Sequence, residues 1–190
     1  MDFHAFSALR WMLGDIDGQV KNGYASNNQD NIKLLGFISM PSFDPIINWE
    51  IFKSATNGTK EYFVAKTYWD ALNDFNKFNS LQAEIKTSDY PSSSKALDIK
   101  PTIVSNIHSL SSDFAETIID KLKSIKISPF PSNAPIGCDG TFYELSLKES
   151  FHNLDIRWWD NGPENWSELT IYIKKLIDIF NEIIKANKIE

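Results

Sequence analysis

The sequence predicts an α+β fold: an antiparallel or mixed sheet built from hairpins and covered by helices, with a long C-terminal helix. Three observations point there. Apolar and polar residues alternate on both sides of Asn57-Gly58 and again after Asp139-Gly140, the two-residue period of half-buried strands. Elsewhere the apolar spacing lengthens to three or four residues, the period of amphipathic helices. Neither strictly repeated βαβ units nor an internal repeat of fixed period is present, so hairpins covered by helices are the expected arrangement.

Taken in order, Phe3, Phe6, Leu9 and Leu13 share one helical face over the first thirteen residues, although Arg10 and Trp11 blur it. Residues 14–29 are rich in Gly, Asp and Asn and read as a loop. Ile32 to Ser39 is a short apolar run ended by Pro41, a buried strand or a short helix. Ile47, Trp49 and Ile51 alternate with Asn48 and Glu50, and a second run covers 62–67. Asn57-Gly58 between them suits a tight type I′ turn, whose central residues need positive φ. Trp69, Leu72, Phe75 and Phe78 then recur near every third residue with Asp70, Asp74 and Lys77 opposite, predicting a helix over 68–81.

Residues 86–101 hold Ser92-Ser93-Ser94, Pro91 and Pro101 and read as a surface loop. The 190 residues are expected to form one domain, with this loop as the place of any internal boundary. Phe114, Ile118 and Leu122 predict a helix over 113–123, with Ser111 and Ser112 before it and Asp113 and Glu116 in its first turn. Pro129, Pro131 and Pro135 stop it. Tyr143, Leu145 and Leu147 make one strand face, and Leu154, Ile156 and Trp158 the next. After Pro163, residues 167–186 put Leu169, Tyr172, Ile173, Leu176, Phe180, Ile183 and Ile184 on one face of a helix about 30 Å long.

Composition narrows the function. With 42% hydrophobic residues, six Trp and thirteen Phe, the chain can offset its conformational entropy and fold. Nineteen Lys and Arg against twenty-five Asp and Glu give a formal charge of −6, which repels nucleic acid and suits a basic protein partner. No run reaches membrane-spanning length and residues 1–13 do not read as a secretory signal, so a soluble, cytoplasmic protein is expected. The lone Cys138 allows no internal disulfide, which fits a reducing compartment.

Candidate chemistry is sparse. Asp15-Ile16-Asp17-Gly18 opens like a calcium loop, but Gly18 falls fourth rather than sixth and Ser26 stands where the bidentate Glu belongs, so a solvated turn is expected. His4, His108 and His152 have no ligand spacing. Cys138 with His152 and Asp139 is the one conceivable nucleophile set, weighed against an inert apolar cysteine. No glycine-rich phosphate loop occurs, and no cofactor is expected. The least routine stretch is Arg157-Trp158-Trp159-Asp160 followed by Pro163 and Trp166. Neighbouring residues of a strand point to opposite faces, so Trp158 is expected in the core. Trp159, Asp160, Glu164, Trp166 and Glu168 are candidates for an aromatic and acidic partner-binding patch if the reverse face is open.

Asp139-Gly140-Thr141-Phe142-Tyr143-Glu144-Leu145, Arg157-Trp158-Trp159, Pro163 and Trp166 resemble the carboxy-terminal pattern of small uncharacterised bacterial proteins, some of them similar to immunity proteins that accompany polymorphic toxins. The resemblance covers the last third of the chain and implies no catalytic residue. It implies a non-catalytic, cytosolic binding protein that neutralises a toxin by occlusion, its partner a basic toxin domain. Two other readings stand beside it. One is a small hydrolase or transferase using Cys138, His152 and Asp139; the other is an accessory subunit that assembles through its terminal helix.

Overall fold

The computed structural model describes residues 3–27, 29–54, 61–87, 100–131, 137, 139–149 and 152–186. Its elements are α1 (Phe3–Met12), α2 (Ile16–Asn22), β1 (Asn31–Pro41), β2 (Ile47–Ser54), β3 (Glu61–Trp69), α3 (Ala71–Thr87), β4 (Ile103–Leu110), α4 (Ser112–Ser124), β5 (Thr141–Glu149), β6 (His152–Trp159) and α5 (Ser167–Ala186). The six strands form one sheet in the order β4-β3-β2-β1-β5-β6, every pair antiparallel. The fold is therefore α+β, as the alternating periods predict, and the sheet is antiparallel rather than mixed. β4 follows residues 86–101 yet pairs with β3 before them, so one sheet holds strands from both sides of that segment.

Both predicted antiparallel strand pairs are present. Asn57-Gly58 lies outside the described residues, but β2 and β3 pair with Ser54 opposite Glu61. β5 and β6 pair from Phe142 opposite Trp159 to Glu149 opposite His152, so Tyr143, Leu145, Leu147, Leu154, Ile156 and Trp158 share a face.

That face meets α4 and α5. Ser111 caps α4 by accepting the Phe114 N–H, and Ile118 and Leu122 are buried with Ala115. Along α5 the buried residues are Leu169, Thr170, Ile173, Leu176, Phe180 and Ile184, while Tyr172 and Ile183 sit half-buried at the rim of the stripe. Phe180 stacks on Phe37, which stacks on Trp49, so one aromatic column ties the helix to the sheet centre. The apolar stripe of α5 is thus covered by its own sheet.

Two expectations are corrected, and one strand, β4, has no counterpart among the expectations. Residues 14–29 are not all loop: α2 occupies 16–22, with the Asp15 side chain accepting the Gly18 N–H as its N-cap and Ile16 and Val20 buried. The calcium-like tetrapeptide is a helix cap, and Asp17 pairs with Arg10. Next, Tyr68 and Trp69 belong to β3, so α3 starts at Ala71 and runs through residues 86 and 87. Its phase differs accordingly: Leu72 is 62% exposed and Asp74 fully buried. Finally, β4 occupies 103–110, a stretch whose residues are half-buried apart from exposed Ser109 and carry only a weak alternation.

Candidate functional site

α1, α2 and α3 cover the reverse face of the sheet over part of β1 and over β2, β3 and β4, where Phe6, Leu9, Ile16, Val20 and Ile38 pack with Trp69, and Ala25 packs with Phe52 and Ala65. On β5 and β6 that face carries Glu144, Ser146, Lys148, Asn153, Asp155 and Arg157, the last four exposed. The reverse face of this strand pair is therefore open and polar, as antiparallel sheets allow. Between it, β1 and the end of α2 lies a cleft of about 270 Å³ bordered by Lys21, Lys33, Gly36, Glu144, Ser146 and Asp155.

Beside this cleft, β2 carries a buried polar pair that holds Lys33, one of the lining residues. Asn48 and Glu50, the polar half of the alternation read from the sequence, are fully buried because α2 and the turn after it cover them. Asn48 Nδ2 donates to the Val20 and Lys21 carbonyls at the end of α2. Glu50 Oε2 accepts the Tyr24 N–H at 2.6 Å and the Ala25 N–H at 3.1 Å, and its Oε1 stands 3.0 Å from Lys33 Nζ. A buried carboxylate needs such partners to offset its desolvation. Two glycines make the room. A Cβ on Gly23, at φ +68°, would lie 2.3 Å from Glu50 Oε2, and one on Gly36 would lie 2.3 Å from Lys33 Cε.

Gly36→Ala is accordingly expected to push Lys33 off Glu50 and to cost about 1–3 kcal/mol, measured as the unfolding free energy in urea. A midpoint equal to wild type would show that Lys33 relaxes around the methyl while keeping its ion pair. None of Lys33, Gly36 and Glu50 stood out in the sequence. The available signal was Asp15 with Gly18 and the Ile16–Val20 spacing, which mark α2 and hence the burial of the residues below it.

The five sequence candidates do not meet in one patch. Trp166 is 6% exposed, packs edge-on against Trp158 and donates its Nε1–H to the Ser128 carbonyl, so it sits in the core. Trp158 is buried as expected. Trp159 points to the reverse face but is half-buried, its indole lying against Gly137 and Gly140. Asp160, in the left-handed region at φ 48°, turns to the helical side: burial raises the pKa of the Tyr143 phenol, and the nearby Asp160 charge adds to that. Glu164 and Glu168 are exposed at the start of α5, where carboxylates favour the positive end of a helix, and Glu168 pairs with Lys121 at 2.7 Å.

The histidine and cysteine readings gain no geometry. His108 and His152 stand on the two opposite edge strands, and the side chain of His4 lies outside the described residues. Cys138 also lies outside them. Its neighbours Gly137 and Gly140 sit against Trp159, at the other end of β6 from His152. Among the described residues no group of three metal-ligating side chains converges, and no helix is long and apolar enough to cross a membrane. No protein-family model matches the chain, and no match was found among curated proteins or solved structures.

Proposed function

We propose that this chain is a non-catalytic protein-binding domain, most concretely a bacterial immunity protein that works in the cytoplasm and neutralises a basic toxin domain by occluding it. The observation that carries the reading is the acidic junction between β6 and α5, where Asp160, Glu164 and Glu168 lie, with Lys121 and Lys174 at its edges. Asp160 is half-buried in a tight turn and accepts the Asn161 side-chain amide, Glu164 is exposed, and neither has an ion-pair partner among the described residues. A net charge of −6 extends the same sign over the molecule and steers a basic partner toward it. The carboxy-terminal resemblance supplies the toxin as the partner class. Trp166 drops out of the proposed interface because it is buried, and Glu168 contributes only at its rim because Lys121 holds it.

The test is neutralisation. Co-expression with the toxic product of an adjacent gene is expected to restore growth, and the purified pair to associate more slowly as salt rises. Asp160→Asn, which suits the left-handed turn, combined with Glu164→Lys is expected to slow association about tenfold and flatten its salt dependence, with the unfolding midpoint held. Growth that the chain never rescues sinks the immunity reading. Turnover of a small substrate that disappears in Cys138→Ser or His152→Ala would establish the hydrolase or transferase reading instead.

A further inference from the structure

Among the described residues β6 is an edge of the sheet: it bonds to β5 on one side, and no described strand lies on the other. The Asp160 N–H donates to the Thr141 carbonyl at 2.7 Å, so even-numbered residues of β6 turn their backbone groups toward β5. Alternation therefore directs the N–H and C=O groups of Asn153, Asp155 and Arg157 outward. Folded proteins commonly blunt such edges with short strands, bulges, prolines or a covering element. β6 instead runs eight residues in unbroken register with β5, contains no proline, and leaves residues 152–155 exposed, including Leu154 at 42%.

The charge order on this edge is self-complementary. When two β6 strands run antiparallel with Ile156 facing Ile156, Asp155 of each copy stands opposite Arg157 of the other. These are the outward-facing residues, so each such pair can exchange both backbone hydrogen bonds while the side chains meet on the open face. The adjacent registers allowed by the pleat set Asp155 on Asp155 or Arg157 on Arg157, which is repulsive. Arg157 Nε already stands 3.1 Å from Glu144 Oε2 with the arginine side chain 64% exposed, and Asp155 has no ion-pair partner among the described residues. Pairing would place a second carboxylate on the guanidinium and give Asp155 its counterion. On the helical face, Ile156 meets its own symmetry mate and the exposed Leu154 gains an apolar neighbour in Trp158 of the second copy.

We propose that this protein forms a two-fold homodimer through β6, with reciprocal Asp155–Arg157 pairs fixing the register and the two sheets continuing as one. A two-fold operator requires the same patch on both copies, and this edge supplies it. In this register Asp160 ends up opposite His152 of the second copy, but the register is fixed by Asp155 and Arg157. Variants of those two residues leave Asp160 and Glu164 intact, so the test is separate from that of the acidic junction.

The test is sedimentation equilibrium of the full chain over a concentration series reaching about 0.5 mM, high enough to populate a weak complex. Wild type is expected to reach twice the 21.7 kDa chain mass. Asp155→Lys and Arg157→Glu are each expected to raise the dissociation constant about tenfold or more, with unfolding midpoints unchanged. An equimolar mixture of the two variants is expected to recover the dimer, because each copy then carries the charge that the other lacks. A merely structural role for either residue would not produce that recovery. A monomer at every concentration overturns the proposal and assigns the two charges to protection of a bare edge. Variants that dimerise like wild type, or a mixture that stays monomeric, overturn it as well.

Discussion

Phe180→Ala is expected to cost about 3–5 kcal/mol of unfolding free energy, among the largest effects of any single truncation in the chain. Phe180 has no exposed surface and stacks on Phe37 at 5.7 Å between centroids, and Phe37 in turn stacks on Trp49 at 5.2 Å. Removing the ring takes away its transfer free energy and also leaves a cavity whose walls belong to β1 and β2, central strands that cannot move inward without breaking their ladders. Leu176→Ala, one turn earlier on the same stripe, is expected to cost about 2–5 kcal/mol for the same reason. Urea unfolding followed by tryptophan fluorescence reads both. A loss below about 1 kcal/mol for Phe180→Ala would mean that α5 is not docked as described.

Asp74→Asn is expected to cost about 3 kcal/mol and to change the acid limb of the stability profile. Asp74 is fully buried at the start of α3. Its Oδ2 accepts the Trp69 indole N–H at 2.8 Å and the Thr102 N–H at 2.7 Å, while its Oδ1 accepts the Thr102 hydroxyl and faces Lys77 Nζ at 3.2 Å. The carboxylate thereby ties the end of β3, the first turn of α3 and the approach to β4 at one point. An amide can accept at one position only and would turn its own N–H group toward another donor. Thr102→Val removes the hydroxyl bond alone and is expected to cost about 1–2 kcal/mol.

The pH dependence follows from the same contacts. Burial by itself pushes the Asp74 carboxyl up, but the hydrogen bonds from Thr102, Trp69 and Lys77 outweigh it and hold the group below its ordinary value. A lowered folded-state pKa means that the stabilisation is complete above the unfolded value of about 3.9 and is lost as pH falls through the folded one. Wild type is therefore expected to lose stability below about pH 4, with a shallower slope in Asp74→Asn. Identical slopes would show that other carboxylates govern acid unfolding.

Why Asp74 escaped the sequence reading is a matter of phase. Trp69, Leu72, Phe75 and Phe78 form a credible helical stripe with Asp74 opposite, but β3 continues through Trp69 and the helix starts two residues later. The true inner face holds Ala71 and Asp74, with Phe75 and Phe78 packed alongside, and Leu72 faces out. Asn48 and Glu50 escaped it for a related reason. Strand alternation states which residues share a face; it does not state whether that face is later covered. Here α2 covers it, and α2 is seven residues long with only two buried apolar side chains, too short for periodicity to register.

What the sequence determined by itself is the α+β class, both antiparallel strand pairs, α4 and the full extent of α5. Those signals are local: a period of two or of 3.6, a capping serine and a turn dipeptide depend on residues within a few positions of one another. Tertiary structure alone decided the strand order, with β5 and β6 joining β1 rather than β4, and with it the open face of β5 and β6 and a β6 edge that no described strand pairs with. It also decided that Trp166 is core, that Trp159 and Asp160 diverge, and that Glu50 and Asp74 are buried. Each of these outcomes depends on which distant segment covers a surface. That choice is set by the summed packing of the whole chain, which no local pattern contains.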